Sequence, residues 1–185
     1  MSDRRVNYTK MMLKQSLLQL LLTKPINKIT IKELCETADI NRATFYTHYQ
    51  DAYDLLRQIE NELFAEIHHS IDTELRTEQM SEFLESICSC IRKNKELCEV
   101  IFGEFGDKDF LRRILNIAHD WSIQEWQRTS PRLDDKSLER VYAFIAHGSA
   151  QVIRDWVQSG MLETPKQIAL FIESLCYHGL SILTK

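Results

Sequence analysis

The sequence predicts an all-α chain of about nine helices, a small N-terminal three-helix unit followed by a larger helical bundle. Three observations lead there. Gly and Pro are scarce, five and three in 185 residues, so chain breakers are few. No Asn-Gly or Asp-Gly pair marks a β-hairpin. Apolar residues recur at spacings of three and four along most of the chain, the period of a helix with one buried face. Hydrophobic residues at 44% and charged residues at 27% fit a soluble globular protein with an ordinary core.

Residues 7–24 read as the first helix, with Met12, Leu13, Leu17, Leu20 and Leu21 on one stripe and Pro25 as its stop. The leucine run Leu17 to Leu22 is too short to span a membrane and lacks a small-residue cleavage site, so a cytoplasmic chain without a targeting segment is expected. Thr30 with Glu33 forms a capping box that opens a second helix, whose apolar positions are Ile31, Leu34, Cys35 and Ala38. Asp39 follows at a tight turn where a left-handed residue fits, and Asp tolerates that conformation better than most. Asn41 is the N-cap of a third helix running from Arg42 to about His48. Asp51 caps a fourth, which continues to about Glu74 along the stripe Leu55, Ile59, Leu63, Ile67 and Ile71.

Further helices are expected at about 79–93, 96–105, 108–128, 136–159 and 164–183, punctuated by Gly103, Gly106, Ser130-Pro131, Gly160 and Thr164-Pro165. Thr164 caps the last of them, with Pro165 at its first helical position. The boundary between head and body is placed at 1–52 and 53–185.

Charge divides along the same line. Residues 1–50 carry eight basic side chains (Arg4, Arg5, Lys10, Lys14, Lys24, Lys28, Lys32 and Arg42) against four acids, whereas residues 51–185 carry 15 basic against 23 acidic. A basic head on an acidic body concentrates attraction for a polyanion at one end.

Two short helices joined by a tight turn, Thr30 to Tyr49, make a helix-turn-helix unit, which sets its second helix into the DNA major groove. Small Ala38 lets the two helices approach, and Ile40, Phe45 and Tyr49 fill the space beneath the second. Its other face carries Asn41, Arg42, Ala43, Thr44, Tyr46, Thr47 and His48. Arg42 reaches guanine O6 and N7 in a two-bond contact, worth about 1–3 kcal/mol of discrimination, and Ala43 permits close approach or meets a thymine methyl. Thr44, Tyr46 and His48 suit phosphate oxygens, which position without specifying. Thr30 offers a helix-start amide to a phosphate. Lys32 joins this set, and Arg4, Arg5 and Lys10 form a basic N-terminal arm.

The stretch from Ile29 to Tyr49, with Asp51 and Leu55-Leu56, closely resembles the DNA-binding head of the TetR (tetracycline-repressor) family, most of all in Thr44-Phe45-Tyr46-Thr47-His48-Tyr49. The resemblance covers about residues 7–57. Ala146-His147-Gly148 and Trp156-Val157-Gln158-Ser159-Gly160-Met161 resemble, more weakly, a C-terminal domain found in this family in Gram-positive bacteria. The resemblance implies an all-helical homodimer that binds a double-stranded operator, with base-facing positions at Asn41, Arg42 and Ala43 and phosphate contacts at Thr30, Thr44, Tyr46 and His48. Two positions depart from the pattern: the usual turn glycine is Asp39, and the basic residue near the start of the fourth helix is Ala52.

The same resemblance implies dimerisation through the last two helices and a small-molecule pocket among the middle ones. Ala146, Ala150, Ile168, Phe171, Ile172 and Leu175 are the candidate dimer residues; Leu180 and Leu183 extend the same apolar stripe. Phe83, Phe102, Phe105 and Trp121 are candidate pocket walls, with His119, Tyr142 and His147 able to orient a ligand. The expected function is a homodimeric repressor released by a small-molecule effector. The alternative is a partner-binding co-regulator with a degenerate head, supported by Asp39 and Ala52.

Other chemistry is not expected. Adjacent His68 and His69 point about 100° apart on a helix and cannot easily share a metal. Cys88, Cys90 and Cys98 lack zinc-ligand spacing, and the five cysteines (Cys35 and Cys176 complete the set) suit reduced thiols. No nucleophile elbow, phosphate loop or HExxH motif occurs, so neither an enzyme nor a bound cofactor or metal is predicted.

Overall fold

The computed structural model describes residues 2–74, 80–106, 108–117, 119–129 and 133–183; within helices, the side chains of Ile71, Trp121, Leu180 and Leu183 also lie outside the description. Among the described residues every regular element is helical: α1 (Ser2–Leu21), α2 (Ile31–Ala38), α3 (Arg42–Tyr46), α4 (Ala52–Glu74), α5 (Met80–Lys93), α6 (Lys95–Ile101), α7 (Lys108–Ile117), α8 (His119–Thr129), α9 (Asp135–Gln158) and α10 (Pro165–Leu183). A single 3-10 turn, Ile26–Lys28, follows Pro25. The chain forms two compact units, one of Met1–Phe64 with Glu96–Asp107, the other of Ala65–Lys95 with Lys108–Lys185.

In the first unit α2 packs on α1 and on α3. Leu13, Leu17, Leu34, Phe45 and Leu55 are at most 1% exposed. Burying each such side chain stabilises the fold by about 1.5–3 kcal/mol, so these five positions anchor α1, α2, α3 and α4. Two ion pairs connect the elements from outside: Lys14 with Glu62 at 3.4 Å between α1 and α4, and Lys24 with Glu33 at 2.5 Å between the α1 turn and α2.

In the second unit α10 packs on α5 and α9, and α9 also meets α7 and α8. Its core includes Cys88, Phe110, Leu138, Trp156, Val157, Ala169 and Ile172, all at most 2% exposed. The Thr164 cap is reciprocal. Its hydroxyl accepts from the Gln167 amide at 3.2 Å, and Gln167 Oε1 accepts from the Thr164 amide at 2.8 Å. The link from α9 to α10 turns through Gly160 and Met161, both left-handed, at φ of 91° and 58°.

The structure corrects several expected bounds. Helix α1 starts at Ser2, not near residue 7, and ends at Leu21, so the basic residues Arg4 and Arg5 lie on the same helix as Lys10. Nothing in Ser2 to Val6 breaks a helix, which is why it continues outward. Helix α3 ends at Tyr46, short of His48. Helix α6 stops at Ile101, short of 105. Gly106 explains this: a Cβ there would lie 1.9 Å from the Ile101 carbonyl, so the chain folds back against the helix end at a spot only glycine fits. The stretch 108–128 is described as α7 and α8, on either side of residue 118, which lies outside the described residues.

Candidate nucleic-acid interface

Local chemistry builds the reading surface in sequence order. Thr30 is extended and accepts the Glu33 amide at 3.2 Å, fixing where α2 begins. Glu33 turns its carboxylate to Lys24, which leaves only the forward half of the capping box among these contacts. At the other end Asp39 adopts φ 52°, ψ 43°, the left-handed conformation its position demanded. The Ile40 amide donates to the Cys35 carbonyl at 3.0 Å and the Asp39 amide to that of Glu36 at 3.4 Å, the paired closure of a Schellman turn. Asp therefore replaces the usual glycine without disturbing the turn.

Asn41 then caps α3, its Oδ1 accepting the Ala43 amide at 2.8 Å. Beneath α3, Phe45 is fully buried and Tyr49 is 6% exposed, their rings 5.6 Å apart. This apolar floor turns the polar side outward. Asn41, Arg42, Ala43 and Thr47 are exposed, Tyr46 is 59% exposed, and Thr44 and His48 are half-buried. Thr30, Lys32, Arg4, Arg5 and Lys10 are exposed as well. An open cleft of ≈ 410 Å³ runs between α2 and the start of α3, lined by Lys32, Cys35, Glu36, Asp39, Ile40, Asn41 and Arg42. It puts Lys32 and Arg42, two cations able to hold guanine edges, beside one concave surface.

The start of α4 holds a feature that was overlooked. Asp51 Oδ1 accepts the Asp54 amide at 2.7 Å, and Asp54 Oδ2 accepts the Gln50 amide at 3.0 Å. The Gln50 bond, then one from Gln58, holds the Asp54 carboxyl below its usual range. The Asp-x-x-Asp spacing was a visible signal for this box. Ala52 is buried within it, 4% exposed, and Tyr53 beside it is 48% exposed.

The candidate pocket residues fall in both units: Phe102 and Phe105 in the first, Phe83, His119, Tyr142 and His147 in the second. His119 and Tyr142 meet, with ring centroids 4.7 Å apart. Their polar atoms are engaged by the chain itself. His119 contacts Asp120 and Glu139, the Tyr142 hydroxyl donates to the Leu115 carbonyl, and His147 Nδ1 lies 2.8 Å from the Ala143 carbonyl. The candidate dimer residues divide. Ile168 and Ile172 are buried within the chain, Ala146 and Ala150 are half-buried, and Phe171 and Leu175 are 54% and 57% exposed. Phe144 on α9 is 80% exposed.

All five cysteines are buried, and none forms a disulfide. Burial, with Glu85 adding, pushes the Cys88 thiol up to about 12, and burial, with Glu66 adding, takes Cys90 to about 11. Such thiols stay protonated and are poor nucleophiles at neutral pH. Among the described residues no group of three His, Cys, Asp or Glu is placed to hold a metal, and no helix is long and apolar enough to cross a membrane.

Residues 78–177, more than half the chain, match a TetR family model described as a transcriptional regulator C-terminal region. No curated protein matches the sequence. Several solved structures share the fold. A TetR transcriptional regulator from Streptococcus agalactiae is 18% identical, with a TM-score of 0.65, over 95% of this chain and 97% of that one. The dihydroxyacetone kinase operon activator DhaS is 20% identical, with a TM-score of 0.61, over 94% and 97%. The regulator FadR from Bacillus subtilis, solved with stearoyl-CoA, is 12% identical, with a TM-score of 0.67, over 90% and 96%. The chain belongs to the TetR family of transcriptional regulators.

Proposed function

We propose that this regulator binds a double-stranded DNA operator sequence-specifically as a cytoplasmic homodimer and represses transcription until a small-molecule effector releases it. One observation carries the reading. Helix α3 is capped at Asn41, floored by Phe45 and Tyr49, and exposes Arg42 and Tyr46 outward from a basic head. A two-fold pair of such heads reaches half-sites about 34–36 Å apart, or multiples of that. The exposed apolar residues Phe144 on α9 and Phe171 and Leu175 on α10 supply a surface for the second copy. FadR from Bacillus subtilis was solved with an acyl-CoA, which supports an effector of some kind without identifying one for this chain.

The test is binding of the purified protein to DNA from upstream of its own gene, at several salt concentrations. Log K falling steeply and linearly with log salt, with competition by the specific fragment over random DNA, is the expected result. Absent or salt-insensitive binding sinks the proposal, and co-purification of a protein partner in its place favours a co-regulator with a degenerate head.

A further inference from the structure

His119, the first residue of α8, brings both ring nitrogens against carboxylates. Its Nδ1 lies 2.8 Å from Asp120 Oδ1, and its Nε2 lies 2.9 Å from Glu139 Oε2. An ionised carboxylate only accepts, so filling both contacts requires an N–H on each nitrogen, which is the imidazolium. The neutral ring carries one N–H and leaves a lone pair facing an anion. Asp120 is a neighbour on α8, whereas Glu139 reaches over from α9.

Tyr142, almost one turn after Glu139, stands edge-on to the imidazole, the planes at 89°. Its hydroxyl donates to the Leu115 carbonyl, which brings α7 into the same cluster. Burial pushes the Tyr142 phenol up to about 12, and Asp120 and Glu139 add to the rise, so the hydroxyl keeps its proton across the working pH range. Among the described residues, the groups that contact His119 are Asp120 from α8 and Glu139 and the Tyr142 ring from α9; the Leu115 carbonyl of α7 touches only Tyr142 in these contacts.

We propose that protonated His119 is a latch fastening the start of α8 to α9, and that loss of its proton releases this corner of the second unit. The cluster joins α7, α8 and α9, and it gives His119 and Tyr142 a conformational role in place of a ligand contact. The sign of its pH dependence follows from the partners. Hydrogen bonds from Glu139, then Asp120, raise the His119 pKa. The stabilisation is thus complete below the unfolded-state value near 6.5 and is lost as pH rises through the folded-state value.

The test compares the full-length protein with His119→Gln and Glu139→Gln by thermal unfolding from pH 5.5 to 9, together with an NMR titration of the imidazole signals. His119 is 30% exposed in its side chain, so a modest effect is expected. Wild type should exceed each variant in Tm by about 2–4 °C at pH 5.5, with the gap closing toward pH 9. His119 should titrate above 6.5, and Glu139→Gln should lower its midpoint. A gap that does not change with pH, or a wild-type His119 titrating at or below 6.5, overturns the latch. If His119→Gln fails to fold, Glu139→Gln and the titration still decide.

Discussion

Arg92 on α5 and Trp156 on α9 donate to the same acceptor, the carbonyl of Glu163, at 3.3 Å and 3.0 Å, with the guanidinium 5.9 Å from the indole ring. Arg92 also donates to the Met161 carbonyl at 2.8 Å. The pair thereby holds the left-handed link between α9 and α10 by three hydrogen bonds to two carbonyls. Arg92→Ala should destabilise the protein by about 1–2 kcal/mol, since bonds from a charged donor are worth more than neutral ones and the guanidinium is partly solvated. Arg92→Lys should recover part of this, because an ammonium still donates to a carbonyl but lacks the planar guanidinium whose Nη2 meets both carbonyls while its carbon lies 5.9 Å from the indole centroid. Urea unfolding measures both; an Arg92→Lys protein as stable as wild type would show that the guanidinium geometry is irrelevant.

Arg42 and Tyr46 are both exposed on α3, and the proposed function gives them different parts in DNA binding. Arg42→Ala should relax preference at one or two base pairs by about 1–3 kcal/mol, the worth of a two-bond guanine contact. Tyr46→Phe removes one hydroxyl from a side chain 59% exposed and should weaken binding to all sequences alike. Binding-site selection with each variant separates the outcomes. Unchanged sequence preference in Arg42→Ala rules Arg42 out as a base reader.

Asp39 offers a separate handle on the head, because its backbone is left-handed and it lines the cleft together with Arg42. Asn and Gly both accept that backbone, so Asp39→Asn and Asp39→Gly should fold with Tm near wild type, whereas Asp39→Leu should lose about 1–2 kcal/mol. Removing the negative charge should also tighten DNA binding, more at low salt than at high. Matching affinities for wild type and Asp39→Asn at low salt would show that the carboxylate lies too far from phosphate to matter.

The head was legible because its signals are local. Thr30, Asp39, Asn41 and the Phe45–Tyr49 floor each act within a few residues, and each makes in the structure the local contact its chemistry called for. What escaped depends on residues far apart in sequence. Glu33 has a better partner in Lys24 than in its own cap, nine positions away. The apolar stripe of α10 looked uniform, yet Ile168 and Ile172 turn into the chain and Phe171 and Leu175 out of it. Helical periodicity fixes which residues share a face but not which neighbour, if any, covers that face. His119 and Tyr142 looked like free polar groups for the same reason, since Glu139 and Leu115 reach them only after folding.

Gly148 tests the proposed dimer most directly. It sits in the middle of α9, is exposed, and a Cβ added there would meet nothing within 4 Å in its own chain. Glycine inside a helix costs about 0.5–1 kcal/mol relative to alanine, so the single chain gains nothing from it. A second copy passing close to α9 beside Phe144 would make use of the missing side chain. Gly148→Ala should therefore raise thermal stability at protein concentrations low enough to favour monomers. Gly148→Leu should shift the equilibrium toward monomer in sedimentation velocity, with the helix content unchanged. A Gly148→Leu protein that dimerises as tightly as wild type would exclude this face of α9 from the interface and leave Phe171 and Leu175 on α10 as the surface to probe.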